Sequence, residues 1–491
     1  MITFEKGITV KYANKLLIDG ELVGTAKGKT FDVEDPATGQ VIAQAPAGDA
    51  EDIDRAVRAA RHCFDSGAWT SYTAADRAAT MWKLSDTVAA NIDQLSELEV
   101  IDNGMPLVFA RASLNSAING LRYYAGMCTK LNGITSNISG GGRQMHAYTQ
   151  RDPVGVVGAI TPWNAPLATL INKIAPAIAA GCALVCKPAE QTPLTSLRFA
   201  ELIAASGLPR GLINIVTGLG SVAGAAIANH PGVDKVTFTG STEVGKGLVQ
   251  AASGNLKRLT LELGGKSPVF LFDDADLERA IPACIMAIFA NSGQVCFAGS
   301  RLYVQRRIFD EVVNRIAKAA KEMRLGSGLD AATQLGPLVS QKQMARVLSY
   351  IESGITEGAE LLSGGARFGD KGYFVEPTVF ANQNAQDIRI VREEIFGPVL
   401  VAMPFDNLDD VAHIANSSPY GLGAGIFSSN VSTVHKAAQI IRAGNIWINC
   451  YGILDKSMPF GGFRQSGWGR EHGIEGIEPY LETKSVYTML G

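Results

Sequence analysis

No run in this 491-residue chain is long and apolar enough to cross a bilayer. The longest near-apolar stretch, 174–186, contains Pro176 and falls short of the roughly 20 residues a crossing needs. The first ten residues hold Glu5 and Lys6 and no apolar centre of the secretory kind, so a cytoplasmic location is the default expectation. An excess of one charge is also missing. Lys and Arg number 44 against 47 Asp and Glu, a net −3, so no global basic field draws the chain to nucleic acid or anionic lipid. Neither nucleic acid nor membrane is expected as a partner. Cysteine is sparse and odd in number. The seven are scattered, and although Cys182 and Cys186 stand four apart, no His or third Cys lies near enough in sequence to complete a ligand set. That excludes a disulfide framework and argues against a metal site; most of these thiols should be reduced core residues. Low-complexity tracts and solenoid repeats are absent as well.

What is present is globular in balance, with 46% hydrophobic and 19% charged residues. At roughly 150 residues per domain the length fits about three folding units. From about Arg151 to Leu263 one pattern recurs: a short β-branched run, a Gly or Pro turn, then an Ala- and Leu-rich helical stretch. The runs fall at 154–160, 183–187, 213–217, 235–239 and 258–263. Their continuous apolar character marks strands covered on both faces, which implies a doubly wound parallel sheet of the dinucleotide-binding type. Further runs at 268–272, 301–304, 399–404, 422–427 and 444–449 imply a second α/β unit. Between about Leu131 and Arg151, where Gly140, Gly141 and Gly142 sit, no helical period is visible. This stretch pairs naturally with a β-rich tail at 480–489, as a small extra sheet suited to subunit contact.

Several constellations carry chemistry. Cys296 lies in a loop of small residues, Gly293 to Ser300, that leads into a strand, so substrate can approach its thiol. Taken singly, a Cys is better read as a buried core residue, and what reverses that is company. Glu262 ends a strand against Gly264 and Gly265, where α/β folds collect ligands, and a nucleophilic thiol in the next loop needs a general base. Alone it would read as a salt-bridge partner. Asn164 follows the first strand in a Pro162-Trp163 frame and can aim an amide N–H at a developing oxyanion, the bland reading being a helix cap. Gly218, Gly220 and Gly224 give G-x-G-x-x-x-G, one residue longer than the dinucleotide fingerprint. Thr239, Gly240 and Ser241 then present a Gly turn and a Ser cap to a pyrophosphate. Lys187 and Glu190 close the second strand and can bind ribose hydroxyls. A carboxylate at Glu190 would repel a 2′-phosphate, which favours NAD over NADP.

Together these segments resemble the aldehyde dehydrogenase superfamily, over nearly the whole chain and in the family's order. The series runs Pro162-Trp163-Asn164, Lys187-Pro188-Ala189-Glu190, Phe238-Thr239-Gly240-Ser241-Thr242 and Glu262-Leu263-Gly264-Gly265-Lys266-Ser267-Pro268. The Cys296 loop, Glu393-Glu394-Ile395-Phe396-Gly397-Pro398 and Pro459-Phe460-Gly461-Gly462 complete it. The resemblance implies that Cys296 attacks an aldehyde, that Asn164 with the Cys296 backbone N–H holds the oxyanion, and that hydride passes to NAD. Glu262 then activates the water that hydrolyses the thioester. Thr161, Trp163, Lys187, Glu190, Gly220, Thr239, Gly240, Ser241, Glu394 and Phe396 are implied to hold the cofactor, Glu394 at the nicotinamide ribose with Phe396 beside it. Tyr124, Ala165, Asn172, Val295, Phe297, Leu454 and Phe460 are implied around the aldehyde channel.

Relatives that handle acetaldehyde-like substrates tend to carry bulky aromatics at the places of Ala165 and Asn172. The smaller residues here suggest a roomier channel with one polar contact, for a medium-sized apolar or aromatic aldehyde. The implied division is a NAD-binding domain at 1–130 and 151–263, a catalytic domain at 264–470, and oligomerisation segments at 131–150 and 471–491, in a homodimer or homotetramer. Two rivals remain: a CoA-acylating enzyme, against which Glu262 speaks, and an inactive structural protein of the same fold, against which the intact residue set speaks.

Overall fold

The computed structural model describes residues 2–3, 9–10, 14–140, 142–385 and 387–490. Residues 1, 4–8, 11–13, 141, 386 and 491 lie outside the described residues.

The five strands expected between Arg151 and Leu263 form at Val156–Ile160, Ala183–Lys187, Ile213–Ile215, Lys235–Thr239 and Arg258–Glu262, all parallel. Val156–Ile160 is wholly buried, as a strand covered by helices on both faces must be. Ala183–Lys187 pairs on one side of it and Lys235–Thr239 on the other. Numbered by their order in the chain, the five therefore lie 3-2-1-4-5, and the sheet changes direction beside the first strand. Such a switch point opens a crevice at the strands' carboxyl ends. The crossovers are the helices Pro166–Ala180, Leu194–Ala204, Ala225–Asn229 and Thr242–Ala252. The first of these runs on through Pro176, which only forfeits the amide that would have bonded the Asn172 carbonyl.

Three short strands that the sequence pattern does not announce widen this sheet to eight: Leu16–Ile18, Glu21–Val23 and Gly467–Trp468. The last pairs antiparallel with Arg258–Glu262, so residues near 467 build the first sheet although they fall inside the 264–470 segment.

The second sheet has seven strands. The five expected ones form at Pro268–Leu271, Arg301–Gln305, Val399–Phe405, Gly423–Phe427 and Asn445–Ile448. Thr378–Ala381 joins them in parallel and Glu360–Ser363 closes one edge antiparallel. Apolar clusters cover both faces, one around Phe270, Phe380 and Val401, the other around Leu271, Ile316 and Leu400. Each such side chain contributes roughly 1.5–3 kcal/mol by leaving water.

A three-stranded antiparallel sheet forms from Thr135–Gly140, Arg143–Pro153 and Leu481–Met489. The pairing expected between the stretch near 131–151 and the carboxyl-terminal tail is therefore present, with Leu481 opposite Pro153 and Met489 opposite Met145.

Only residues 263–267 connect the last parallel strand of the first sheet to the first strand of the second. The carboxyl ends of one sheet consequently face the amino ends of the other, and the functional cleft lies between them.

Candidate active site

That cleft has a volume of about 740 Å³. Its walls include Trp163 and Asn164 after the first strand, Thr239, Gly240 and Ser241 after the fourth, and Glu262 at the end of the fifth. Cys296, Glu394 and Phe396 enter from loops that precede strands of the second sheet. Residues spread over more than two hundred positions thus meet because both sheets present strand ends to one space.

The Cys296 loop is shaped by backbone. Asn291 and Ser292 take left-handed conformations (φ 47° and 55°) after the Leu277–Phe289 helix, which turns the chain sharply toward the cleft. Ser292 Oγ donates to the Gly336 carbonyl (2.7 Å), Gln294 Oε1 accepts from Val339 N–H (2.9 Å), and Tyr451 O–H donates to the Phe297 carbonyl (2.5 Å). Cys296 is half-buried. Removal from bulk water pushes its thiol above the ordinary range, and the carboxylates of Glu262 and Glu394 add to the effect. The thiol is thus stored protonated and needs a base. Asn164 Nδ2 donates to the Gln294 carbonyl (2.9 Å), and Asn291 Nδ2 donates to the Asn164 carbonyl (3.0 Å). The Asn164 amide is thereby fixed beside the nucleophile loop with one N–H still to give.

Glu262 is 3% exposed, and neither carboxylate oxygen has a hydrogen-bond partner. Burial raises its pKa well above the usual carboxylate range, and the negative charge of Glu471 raises it further. An orphaned carboxylate at that depth is costly unless function retains it. Gly461 leaves it room: a Cβ there would stand 2.7 Å from Glu262 Oε1.

Sequence reasoning missed the pair behind this base. Lys173 Nζ lies 2.6 Å from Glu471 Oε1 and also donates to Thr239 Oγ1 (2.8 Å). Burial opposes ionisation of Glu471, but the Lys173 charge outweighs it and holds the carboxyl below its ordinary range. One signal existed, since a lone lysine inside the apolar run 166–180 must find a partner. The partner, 298 residues away, gives no such signal.

The other residues divide into two groups. Ser241 caps the Thr242–Ala252 helix, its Oγ accepting from Val244 N–H (3.3 Å), so the first-turn amides of Thr242 and Glu243 remain for an anion at the switch point. Trp163 and Phe396 meet edge to face at 5.2 Å. Phe396 is held at φ 60° while Gln343 Nε2 donates to its carbonyl (2.8 Å). Glu394 Oε1 accepts from Gly265 N–H (3.0 Å), and burial pushes its carboxyl up to about 7. Ala165, Asn172, Val295, Phe297, Leu454 and Phe460 also line the cleft.

Lys187, Glu190 and Gly220 are not among the lining residues and form a cluster of their own, beside Gln191, which does line the cleft. Lys187 Nζ lies 2.7 Å from Glu190 Oε2, and a Cβ on Gly220 would stand 3.7 Å from that ammonium. Burial opposes ionisation of Glu190, yet Lys187 keeps it ionised. Thr161 is buried behind Pro162, its Oγ1 unpartnered and its N–H donating to the Lys187 carbonyl (3.1 Å). Tyr124 is not on the channel wall. It is 1% exposed, belongs to the core of the first sheet, and donates its hydroxyl to the Gly473 carbonyl (3.2 Å).

These residues fit a dinucleotide. A capped helix start at the switch point suits a pyrophosphate, and the acceptors Glu190 and Glu394 suit ribose hydroxyls. Comparison with known proteins agrees. Residues 23–486 match the aldehyde dehydrogenase family. The chain is 48% identical to an aldehyde dehydrogenase of Enchytraeus buchholzi, over 98% of this chain and 97% of that protein. It is 44% identical to the phenylacetaldehyde dehydrogenase of Pseudomonas fluorescens, over 97% and 96%. A solved NAD+ complex of an aldehyde dehydrogenase from Bacillus cereus superposes with a TM-score of 0.96 at 46% identity, covering 99% of this chain and 100% of that one. The chain belongs to the aldehyde dehydrogenase family.

Proposed function

We propose that this chain, an NAD-dependent aldehyde dehydrogenase, oxidises a medium-sized, largely apolar or aromatic aldehyde to its carboxylic acid through a thioester on Cys296. The observation that carries the reading is the buried, unpartnered Glu262 carboxylate in one cleft with a half-buried thiol. Cys296 Sγ bonds to the aldehyde carbon, and its proton passes to water. The oxyanion is held by Asn164 Nδ2 and the Cys296 backbone N–H. Bound NAD supplies the acceptor for the hydride that leaves this carbon. Glu262 then takes a proton from water as its oxygen attacks the thioester, the C–S bond breaks, and the acid departs. Lys187, Glu190, Ser241 and Glu394 hold the cofactor. The carboxylate of Glu190 favours NAD over NADP.

Small side chains at Ala165 and Asn172 support the substrate range, as do the aromatic walls Phe297 and Phe460, 5.8 Å apart. A relative that acts on phenylacetaldehyde is in keeping with it. On the same reading, residues 1–130 and 151–263 carry the cofactor and 264–470 the nucleophile. The three-stranded sheet, with Tyr487 and Met489 exposed, joins subunits of a homodimer or homotetramer. Among the described residues no helix is long and apolar enough to cross a membrane, and a cytoplasmic setting is part of the proposal.

The test is NADH formation across aliphatic, aromatic and carboxylated aldehydes with NAD and NADP. Medium-sized aldehydes should exceed acetaldehyde in kcat/KM by about tenfold or more, since each extra buried methylene contributes about 0.8 kcal/mol. Acetaldehyde as best substrate would overturn the substrate range, and dependence on added CoA would overturn hydrolysis. Asn164→Ala should lower kcat by about 10²–10³-fold with KM little changed, as loss of an oxyanion donor does. A change confined to KM would assign Asn164 to ground-state binding instead.

A further inference from the structure

Lys456, Asn172 and His472 meet in the cleft wall and take no part in the oxidation. Two aromatic rings set them apart from the nucleophile. Phe297, next to Cys296, packs on Phe460 at 5.8 Å, and Phe460 packs on the imidazole of His472 at 6.0 Å. Lys456 Nζ donates to Asn172 Oδ1 (3.0 Å) and to His472 Nε2 (2.9 Å).

The donor count is one-sided. An imidazole that accepts at Nε2 carries its proton on Nδ1, and His472 Nδ1, in a side chain only 4% exposed, has no partner. Burial and the adjacent ammonium hold His472 neutral, with its pKa down to about 4. Asn172 accepts from Lys456 through Oδ1, which leaves its Nδ2 as donor, and the ammonium keeps a third N–H. Three donors thus remain, and among these three side chains the one acceptor site left is the second lone pair of Asn172 Oδ1.

The charge has no counter-ion in direct contact, and Glu471 and Asp455 act on it only through space. Among the described residues Lys456 makes no ion pair. Buried Glu471 is engaged by Lys173 at 2.6 Å, and exposed Asp455 is tied to Ser457 N–H (2.8 Å) and Oγ (2.6 Å). Burial lowers the Lys456 pKa only to about 8, so it is cationic at neutral pH. Gly120 on the Leu107–Met127 helix makes room for the pair: a Cβ there would touch Asn172 Oδ1 at 3.5 Å and Lys456 Cε at 3.6 Å.

We propose that Lys456, Asn172 and His472 form a carboxylate subsite, so that the preferred substrate carries a carboxylate at the end of its apolar body opposite the aldehyde. A carboxylate only accepts, which matches this excess of donors, and its charge would give the ammonium the direct ion pair it lacks in the wall. The substrate class is then the semialdehyde of a dicarboxylic acid or a carboxylated aromatic aldehyde. This rests on the aldehyde oxidation proposed above and narrows it.

The test compares kcat/KM at saturating NAD for para-carboxybenzaldehyde against benzaldehyde, and for adipic semialdehyde against hexanal. The wild type should favour the carboxylated member of each pair by about tenfold or more. Lys456→Met should reduce that ratio on the order of ten- to a hundredfold, mainly through KM, and Lys456→Arg should restore part of it. Asn172→Leu, checked for an intact melting transition, should reduce the ratio independently. A wild type that prefers the uncharged aldehydes, or a ratio unmoved in both Lys456→Met and Asn172→Leu, would overturn the subsite. Good oxidation of benzaldehyde and hexanal in that event would leave the broader function standing, whereas no oxidation of any aldehyde would remove both.

Discussion

Replacement of Cys296 by alanine is expected to lower kcat on the order of 10⁴-fold or more while NAD still binds. The size of the effect follows from the geometry. The thiol is the one nucleophile held beside the Asn164 amide, and the neighbouring cysteine of the second sheet's helices, Cys284, is buried and raised in pKa by that burial to about 12. The other half-buried thiol, Cys450, is not among the residues that line the cleft. The cofactor contacts proposed above, Ser241, Lys187, Glu190 and Glu394, do not include Cys296, so a NAD-induced rise in melting temperature should persist. Steady-state activity near the wild-type level in Cys296→Ala would refute covalent catalysis outright.

Glu262→Gln should show the complementary pattern. Acylation and hydride release precede the need for activated water, so the first turnover should still give a burst of about one NADH per active site. Steady-state turnover should then fall by about 10²–10³-fold, the range in which a positioned general base contributes. The pH dependence has a definite sign. Burial and Glu471 raise the Glu262 pKa, and only the ionised form can accept a proton from water. Wild-type deacylation therefore rises as pH increases through that raised pKa, and the Glu262→Gln protein should lack this limb. Loss of the burst along with steady-state turnover would place Glu262 in the first half of the reaction instead.

Much of this was legible in the sequence because it is local. Continuous apolar runs gave the ten main strands of both sheets within a residue or two at each end, as at 183–187 and 235–239. The turn at Gly240 and the Ser241 cap are also local features, and both lie where the strand order reverses. What pairing alone decides stayed hidden. Leu16–Ile18 and Gly467–Trp468 are too short to show a period and become strands only because an edge of the first sheet receives them. The Lys173–Glu471 pair and the Lys456, Asn172 and His472 cluster join residues hundreds of positions apart or on opposite sides of a loop. Tyr124 fails for a related reason. Consecutive helical residues point about 100° apart, so a register that places this helix by the cleft does not say which side chain faces it. Here Tyr124 turns into the core.

The most direct test is the intact mass of the Glu262→Gln protein, quenched shortly after mixing with NAD and one oxidisable aldehyde. The account predicts an increase equal to the aldehyde's mass less two hydrogens, as an acyl group replaces the thiol proton, located by peptide mapping on Cys296 and absent from Cys296→Ala. An unmodified protein during active NADH release, or an acyl group on any other residue, would contradict it.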